Sequence, residues 1–278
     1  MMMNNYPKTL YYMIDILCNE KCSKCTHWKH KTEKQVFDMS KIIKFISDAK
    51  SINEIVIVGG EPLIYQNEIK EIIESIPNII RTTLITNGVL ANADFIDFIS
   101  KYNVHIVFSI DTIDKSFWEY VRGKDTYDLV MKNLDYAITK LHPEQLSIQS
   151  VLSQETTKHV KIVSDWCKEK GIYHSIQDYV QDGFDGKWTE IESNKVVSNQ
   201  NCYAYLSNMS ILPNGDIFTC FQQNLIAGCE EPLGNINYDS FEDIINRDYV
   251  HNVLKRMKGC QLPCKVLKCN IESCDIDE

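Results

Sequence analysis

Between residues 10 and 180 the chain repeats one pattern: a short β-branched apolar run, a polar loop, then a stretch with helical periodicity. Six runs read as strands: Tyr11–Leu17, Glu54–Gly59, Thr82–Thr86, Val104–Ile110, Leu146–Leu152 and Tyr173–Val180. The stretches between them read as helices over Ser40–Lys50, Gln66–Ser75, Asp94–Tyr102, Asp114–Lys140 (interrupted near Arg122-Gly123) and Lys158–Lys170. Such alternation makes parallel strands joined by right-handed crossovers, in an open sheet or a barrel. Ligands in these folds gather at the C-terminal ends of the strands. The distinctive residues fall there: Cys18, Cys22 and Cys25 after strand one, Gly59-Gly60-Glu61-Pro62 after strand two, Thr86-Asn87-Gly88 after strand three, and Ser109-Ile110-Asp111 at the end of strand four. Four loops are therefore expected to face one cavity.

Near Gly183–Trp188 the alternation stops. The remainder reads as a hairpin turning at Pro213-Asn214-Gly215-Asp216, one amphipathic helix from about Ser240 to Lys258, and a cysteine-rich tail. The pattern predicts two domains, residues 1–188 and 189–278. So few apolar residues occupy the last twenty positions that the tail needs metal to order it.

With 278 residues, 44% of them hydrophobic, the chain can bury a sizeable core. A formal charge of -9 argues against nucleic acid or an anionic membrane surface as a general partner. The opening residues lack the apolar core of a secretory signal, and no run approaches the roughly 18 apolar residues of a membrane span. A cytoplasmic protein is expected. Eleven cysteines in a reducing compartment then point to metal binding or redox chemistry rather than disulfides. Three stand within eight residues, Cys167 is alone, and seven follow residue 200, which suggests two metal-binding regions.

Cys18, Cys22 and Cys25 have the spacing C-x3-C-x2-C, which lets three thiolates converge on one face of a loop. Three thiolates on a four-iron cube leave one iron open for a substrate or cofactor. Structural zinc is the alternative, with His27 or His30 as fourth ligand. A position at the end of the first strand of a βα series favours iron and sulfur.

This triad, followed by Gly-Gly-Glu-Pro after the second strand, resembles the radical S-adenosylmethionine (SAM) superfamily over roughly residues 10 to 180. The resemblance implies an α/β fold, a partial (β/α)6 TIM-like barrel with a small C-terminal cysteine-rich auxiliary-cluster domain. It implies a [4Fe-4S] cluster on Cys18, Cys22 and Cys25 whose open iron chelates SAM, giving a 5′-deoxyadenosyl radical on reduction. Gly59, Gly60 and Glu61 would meet the SAM amino group, Ser109 and Arg122 its ribose and carboxylate, with Thr86 and Asn87 beneath. The chemistry agrees: an ammonium needs acceptors, a carboxylate needs donors, and glycine permits close backbone approach. Plainer readings exist, since Gly-Gly and Thr-Asn-Gly also make ordinary turns and Arg122 alone reads as a solvated helix residue. The position before Cys25, usually aromatic in the family, is Lys24, which moves adenine contact elsewhere, to His27 or Trp28.

Cys202 precedes the hairpin and Cys220 ends it, so the turn at Asn214-Gly215 is expected to bring the two thiols together. This arrangement, with Gly215-x4-Cys220 and the tail Cys260, Cys264, Cys269 and Cys274, resembles the SPASM and twitch auxiliary-cluster domains of radical SAM enzymes. It implies one or two auxiliary [4Fe-4S] clusters, one closed by Cys202, Cys220, Cys260 and Cys264, with Cys269 and Cys274 on a second. The tail spacing departs from the family's usual C-x2-C-x5-C-x3-C, which leaves individual ligands open. Cys229 reads equally as ligand or bystander, Cys167 as a buried small hydrophobe, and structural zinc is the alternative for the tail.

Relatives with small auxiliary domains act on aminocyclitols and sugars, and longer ones modify ribosomally made peptides. Peptide modifiers commonly carry a leader-binding domain, for which the eight or so residues before strand one leave no room. Cys220 is followed by Phe221-Gln222 rather than the Asp of sulfatase-maturing relatives. The expectation is hydrogen abstraction from a small hydroxylated, carbohydrate- or aminocyclitol-like substrate, giving oxidation or epimerisation, with a flavodoxin- or ferredoxin-type electron donor. Gln177, Asp178 and Tyr179 are candidate substrate contacts, or else an ordinary edge strand. In epimerisation a thiol returns a hydrogen atom, with Cys229 or a spare tail cysteine as the candidate. The rival readings are a maturase of a short peptide (thioether formation or epimerisation) and a non-enzymatic iron–sulfur electron carrier.

Overall fold

The computed structural model describes residues 6–29, 38–179, 202–260 and 262. Its first part is the expected alternation: β1 (Thr9–Met13), α1 (Met39–Asp48), β2 (Glu54–Val58), α2 (Gln66–Ser75), β3 (Arg81–Thr86), α3 (Ala93–Ile99), β4 (Val104–Ser109), α4 (Lys115–Arg122), α5 (Tyr127–Lys140), β5 (Leu146–Leu152), α6 (Thr157–Lys170) and β6 (Tyr173–Asp178). The second part holds α7 (Ala204–Ser207), β7 (Asn208–Ile211), β8 (Asp216–Phe218), β9 (Gly234–Asn235), α8 (Phe241–Ile245) and α9 (Asp248–Met257). The strands form one sheet in the order β6-β5-β4-β3-β2-β1-β7-β8-β9. Strands β1 to β6 pair in parallel, as a partial TIM-like barrel requires.

Strand side chains alternate between two faces, and the register aligns those faces across the sheet. Ile57 pairs with Leu84, Leu84 with Ile106 and Phe108 with Ile148. These residues are fully buried, in one core with Ile69 and Ile72 of α2, Phe95 and Ile96 of α3 and Leu134 of α5. The opposite parity, including Val58, Ile85, Ser109, Gln149, Val151 and Gln177, lines a cavity at the C-terminal ends of the strands.

Three elements differ from the sequence pattern. The first strand ends at Met13 rather than Leu17, because residues 15 to 17 bond to the loop after β2 instead of continuing the ladder. The single helix expected over Ser240–Lys258 is two, α8 and α9. Asn246 closes α8 by returning its Nδ2 to the Glu242 carbonyl (2.9 Å), and Arg247 anchors the break through Asp239 (2.5 Å) and the Leu233 carbonyl (3.0 Å). The hairpin turns at Pro213–Asp216 as expected, with Leu212 N–H donating to the Asp216 carbonyl. Its strand β7, however, pairs in parallel with β1, so the sheet runs on into the second part of the chain. Phe45 of α1 also meets Phe241 of α8 edge-on at 5.5 Å between ring centroids. The interruption expected near Arg122-Gly123 separates α4 from α5.

Candidate active site

The cysteine loop is held from two sides. On one side the loop after β2 lies flat against its stem: Gly60 N–H donates to the Asp15 carbonyl and Glu61 N–H to the Leu17 carbonyl, each at 2.8 Å. A Cβ on Gly59 would stand 2.3 Å from the Asp15 carbonyl oxygen, and one on Gly60 would stand 2.3 Å from those of Ile16 and Leu17. Glycine is required by this backbone-on-backbone contact. On the other side, Lys21 N–H donates to the Arg122 carbonyl (3.2 Å) and Ser23 N–H to the Val121 carbonyl (2.9 Å), so the end of α4 grips the loop between its cysteines. Lys124 Nζ adds a bond to the Asn19 carbonyl at 2.5 Å.

Glu61 is buried and organises the strand ends. Its Oε1 accepts from Leu63 N–H (2.9 Å) and Thr86 Oγ1 (2.7 Å), and its Oε2 from Asn87 N–H (2.7 Å). An ionised carboxylate offers roughly four acceptor sites, so room remains for one further donor. Asn87 in turn donates through Nδ2 to Asn19 Oδ1 at 2.7 Å, linking β3 to the cysteine loop.

Burial pushes the Glu61 carboxyl up to about 7 from its ordinary 4.5, against the hydrogen bonds from Asn87, Thr86 and Leu63. A carboxyl that titrates higher when folded binds more protons in the fold between those two values, so it makes stability fall as pH rises through that window. The cofactor-free chain should therefore lose stability from about pH 4.5 to 7 more steeply than a Glu61→Gln variant in denaturant titrations. Parallel slopes would contradict this.

Arg122, 4% exposed, is not a solvated helix residue. Its guanidinium lies 3.4 Å from Asp111 and 3.8 Å from the buried Glu20, donates to the Ser109 carbonyl and to Cys22 Sγ (3.9 Å), and sits over the Trp118 ring. Burial alone would pull this arginine down, but Asp111, Cys22 and Glu20 hold it above its usual range. Its Nε is buried and has no hydrogen-bond partner among the described residues. Glu20, inside the first cysteine spacer, also accepts from Thr126 Oγ1 at 2.7 Å, and Asp111 takes the Val151 N–H at 2.7 Å. Glu20 is not among the residues the sequence singles out, and Asp111 is placed at the cavity by the sequence but given no role there. Their signal was two carboxylates flanking motif residues, visible only once Arg122 is known to lie between them. Burial pushes the Cys22 thiol up to about 12, with Arg122 pulling the other way.

Glu20 and Asp111 border one cavity of about 340 Å³, together with Cys18, Cys22, Cys25, Gly59, Gly60, Glu61, Thr86, Asn87, Ser109 and Arg122. Gln177, Asp178 and Tyr179 close its far side with Gln149, whose Nε2 donates to Gln177 Oε1 at 3.1 Å. Lys24 bridges the two sides: its ammonium is 3.6 Å from Glu155 and 5.0 Å from the Tyr179 ring centre. His27 and Trp28 stand outside the lining, and Trp28 Nε1 instead donates to the Cys22 carbonyl at 3.1 Å. Cys167 is buried at 1% exposure, as expected of a small hydrophobe. Cys202, Cys229 and Cys260 are buried and Cys220 is half-buried. His30, Val180, Cys264, Cys269, Cys274 and the boundary near residue 188 lie outside the described residues.

The model of the radical SAM superfamily matches residues 16–167, which hold the cysteine triad and β2 to β5 of the barrel. The chain belongs to the radical SAM superfamily. A second model, the SPASM iron–sulfur cluster-binding domain, matches residues 202–270. As a radical SAM protein with a SPASM domain, the chain uses SAM, a [4Fe-4S] cluster and auxiliary iron–sulfur clusters. The residues fit these groups: three thiols share one cavity with a glycine-lined backbone cradle, a buried carboxylate with acceptor capacity left, and a buried arginine Nε with no hydrogen-bond partner among the described residues.

Among similar proteins, the GTP 3′,8-cyclase of Vibrio atlanticus is 24% identical over 182 residues, covering 61% of this chain and 54% of that enzyme. The radical SAM cyclopropyl synthase TigE of Paramaledivibacter caminithermalis is 30% identical over 122 residues, 42% of this chain and 25% of that protein. The chain spans about half or less of the length of these relatives. Among solved structures, Streptococcus suis SuiB bound to SAM superposes with a TM-score of 0.75 at 17% identity, covering 94% of this chain and 74% of that one. The structure of anSMEcpe with SAM and the Cp18Cys peptide gives 0.66 at 18% identity, covering 94% and 86%. At these identities the structural likeness shows the fold. No described helix of this radical SAM protein is long and apolar enough to cross a membrane.

Proposed function

We propose that this radical SAM enzyme removes a hydrogen atom from a carbon of a small hydroxylated substrate, carbohydrate- or aminocyclitol-like, leading to oxidation or epimerisation. The observation that carries the reading is the charge of the cavity. Among the described residues its two cations, Arg122 and Lys24, are each set against carboxylates, while Glu20, Glu61, Asp111, Glu155 and Asp178 supply five acids. Such a lining suits a neutral or amine-bearing polyol and repels a polyphosphate. The GTP 3′,8-cyclases lend support to a small hydroxylated substrate, but this wall argues against GTP itself.

Cys18, Cys22 and Cys25 would hold the SAM-binding cluster, with Gly59, Gly60, Glu61, Thr86, Asn87, Ser109 and Arg122 around SAM. Cys202, Cys220, Cys260 and Cys264 are the proposed set for one auxiliary cluster, and Cys269 and Cys274 belong to a second. When bound, SAM and its reduced cluster supply a radical that takes hydrogen from carbon, and the auxiliary cluster supplies an electron acceptor. Gln149 and Gln177 would hold substrate hydroxyls by their amides, and Asp178 would take the hydroxyl proton when the carbon is oxidised. The low-potential electron would come from a flavodoxin- or ferredoxin-type donor.

A short peptide is the second reading. It is favoured by fold: SuiB, solved with its precursor peptide SuiA, covers 95% of this chain. The two readings separate in an anaerobic assay of 5′-deoxyadenosine with aminocyclitols, neutral sugars, GTP and short cysteine-containing peptides as co-substrates. An aminocyclitol or sugar should raise deoxyadenosine several-fold and itself be changed. Stimulation by peptides alone, or by GTP, would overturn the small-polyol reading.

A further inference from the structure

We infer that Lys24 marks the subsite for a primary amine of the substrate: its own ammonium fills a place, between Glu155 and Tyr179, that a substrate ammonium takes by displacing it. The inference rests on the small-polyol reading and narrows it to amine-bearing rings.

The side of the cavity facing Lys24 is held by backbone and buried hydroxyls. Tyr179 continues β6, with its N–H on the Leu152 carbonyl at 2.9 Å. Glu155 stands in the turn before α6, where Thr156 Oγ1 donates to the Val151 carbonyl (2.7 Å) and accepts the Ser153 N–H (2.9 Å). Thr157 Oγ1 closes the turn by donating to the Ser153 carbonyl at 2.7 Å. Ser153 and Thr156 are buried, so the turn is anchored inside the protein. A carboxylate and an aromatic ring are thereby fixed on the lining of one cavity.

This pair already holds an ammonium. Lys24 reaches over from the cysteine loop and places Nζ 3.6 Å from Glu155 Oε2 and 5.0 Å from the centre of the Tyr179 ring. A compact primary ammonium is attracted to both, by charge and by the ring quadrupole. The occupant is also easily displaced. The Lys24 and Glu155 side chains are 29% and 42% exposed, and an ion pair so open to water, carried on a flexible four-carbon stem, gains little. Only that stem has to swing, because Ser23 N–H on the Val121 carbonyl and Cys25 N–H on the Cys22 carbonyl fix the backbone on either side of Lys24.

Three other acids of the cavity are committed to the protein. Glu61 accepts from Leu63, Thr86 and Asn87, while Glu20 and Asp111 face Arg122. Glu155 differs in that its cation sits on a stem that can leave. The surrounding acids repel an anionic group, so Lys24 stands in for a substrate cation rather than clamping a substrate carboxylate.

The test titrates the full chain, reconstituted anaerobically with its clusters and SAM, in a calorimeter with streptamine and with scyllo-inositol, the same ring bearing hydroxyls in place of both ammonium groups. The unmodified chain should prefer streptamine several-fold, and Glu155→Gln should abolish the preference. Lys24→Met, which keeps an apolar stem but has no ammonium to compete, should raise the preference about three- to five-fold, the worth of a partly exposed ion pair. Because the readout is a ratio of two affinities in one protein, incomplete cluster loading or partial misfolding lowers both and cancels. A merely structural Lys24 would move both probes together. Equal affinities in the unmodified chain, a preference that survives Glu155→Gln, or one that fails to rise in Lys24→Met would overturn the inference and leave the small-polyol reading standing. Binding of neither ring would also overturn it, and stimulation of deoxyadenosine formation by short peptides alone would overturn the polyol reading with it.

Discussion

A chain carrying Gly60→Ala should keep its circular dichroism spectrum but lose most of the iron of its SAM-binding cluster and most of its SAM cleavage. The added methyl would stand 2.3 Å from two backbone carbonyl oxygens, those of Ile16 and Leu17, immediately before Cys18. No rotamer change relieves a clash with backbone, so the stem of the cysteine loop must move. Overpacking of this kind costs about 1–3 kcal/mol even where side chains yield. Here the displaced groups lead directly into Cys18, the first of the proposed cluster ligands. Gly171→Ala is the control: its φ of +68° makes alanine strained, but no atom lies within 4 Å of the new methyl. That variant should lose about 1 kcal/mol of stability and keep its iron. Equal iron in the Gly60 and Gly171 variants would show that the contact between the β2 loop and the cysteine loop does not position the triad.

The largest loss of stability is expected from Arg122→Met. The substitution leaves Glu20, only 1% exposed, beside Cys22 with no guanidinium opposite it, and leaves Asp111 without its ion pair. Removing one partner of a buried pair costs about 3–5 kcal/mol, because the remaining charge stays desolvated. Thr126 Oγ1 still donates to Glu20, which softens the loss without cancelling it. Arg122→Lys should recover only part, since an ammonium lacks the planar fork that reaches Asp111, Glu20 and the Ser109 carbonyl together. The discriminating variant is Arg122→Met with Glu20→Gln, which removes the stranded charge. Its midpoint in denaturant should exceed that of Arg122→Met alone, a coupling expected of groups in contact. A double variant no more stable than the single one would place the cost in packing against Trp118 instead.

Much of this architecture was legible in the sequence because it is written in local periods. Strands β2 to β6 and helices α2, α5 and α6 follow alternations of two and 3.6 that a window of ten residues contains. The triad and Gly59–Pro62 were legible because the chemistry demands fixed spacing at strand ends. What was not legible depends on partners distant in sequence. Ile16 and Leu17 resume the apolar run of β1 after Asp15 yet stand outside the strand, since the Asp15 and Leu17 carbonyls serve Gly60 and Glu61. Strand β7 looks like half of an isolated hairpin, and its parallel pairing with β1, some two hundred residues away, has no local signature. Glu20 reads as a loop acid and Asp111 as a cavity residue without a role until Arg122, itself read as exposed when taken alone, is seen to enter the core between them. Lys24 departs from the family's aromatic position, and its pairing with Glu155 and Tyr179 gives it a place in the cavity that spacing did not suggest.

The assignment of Cys18, Cys22 and Cys25 is tested most directly by SAM cleavage. The full chain is reconstituted anaerobically with iron and sulfide, reduced, supplied with SAM, and compared with the Cys18/Cys22/Cys25→Ala variant for iron content and 5′-deoxyadenosine. The unmodified chain should form deoxyadenosine and hold about four more irons than the variant, which should form none. Deoxyadenosine at equal rates from both, or none from an unmodified chain carrying its full iron, would contradict the site described for this protein.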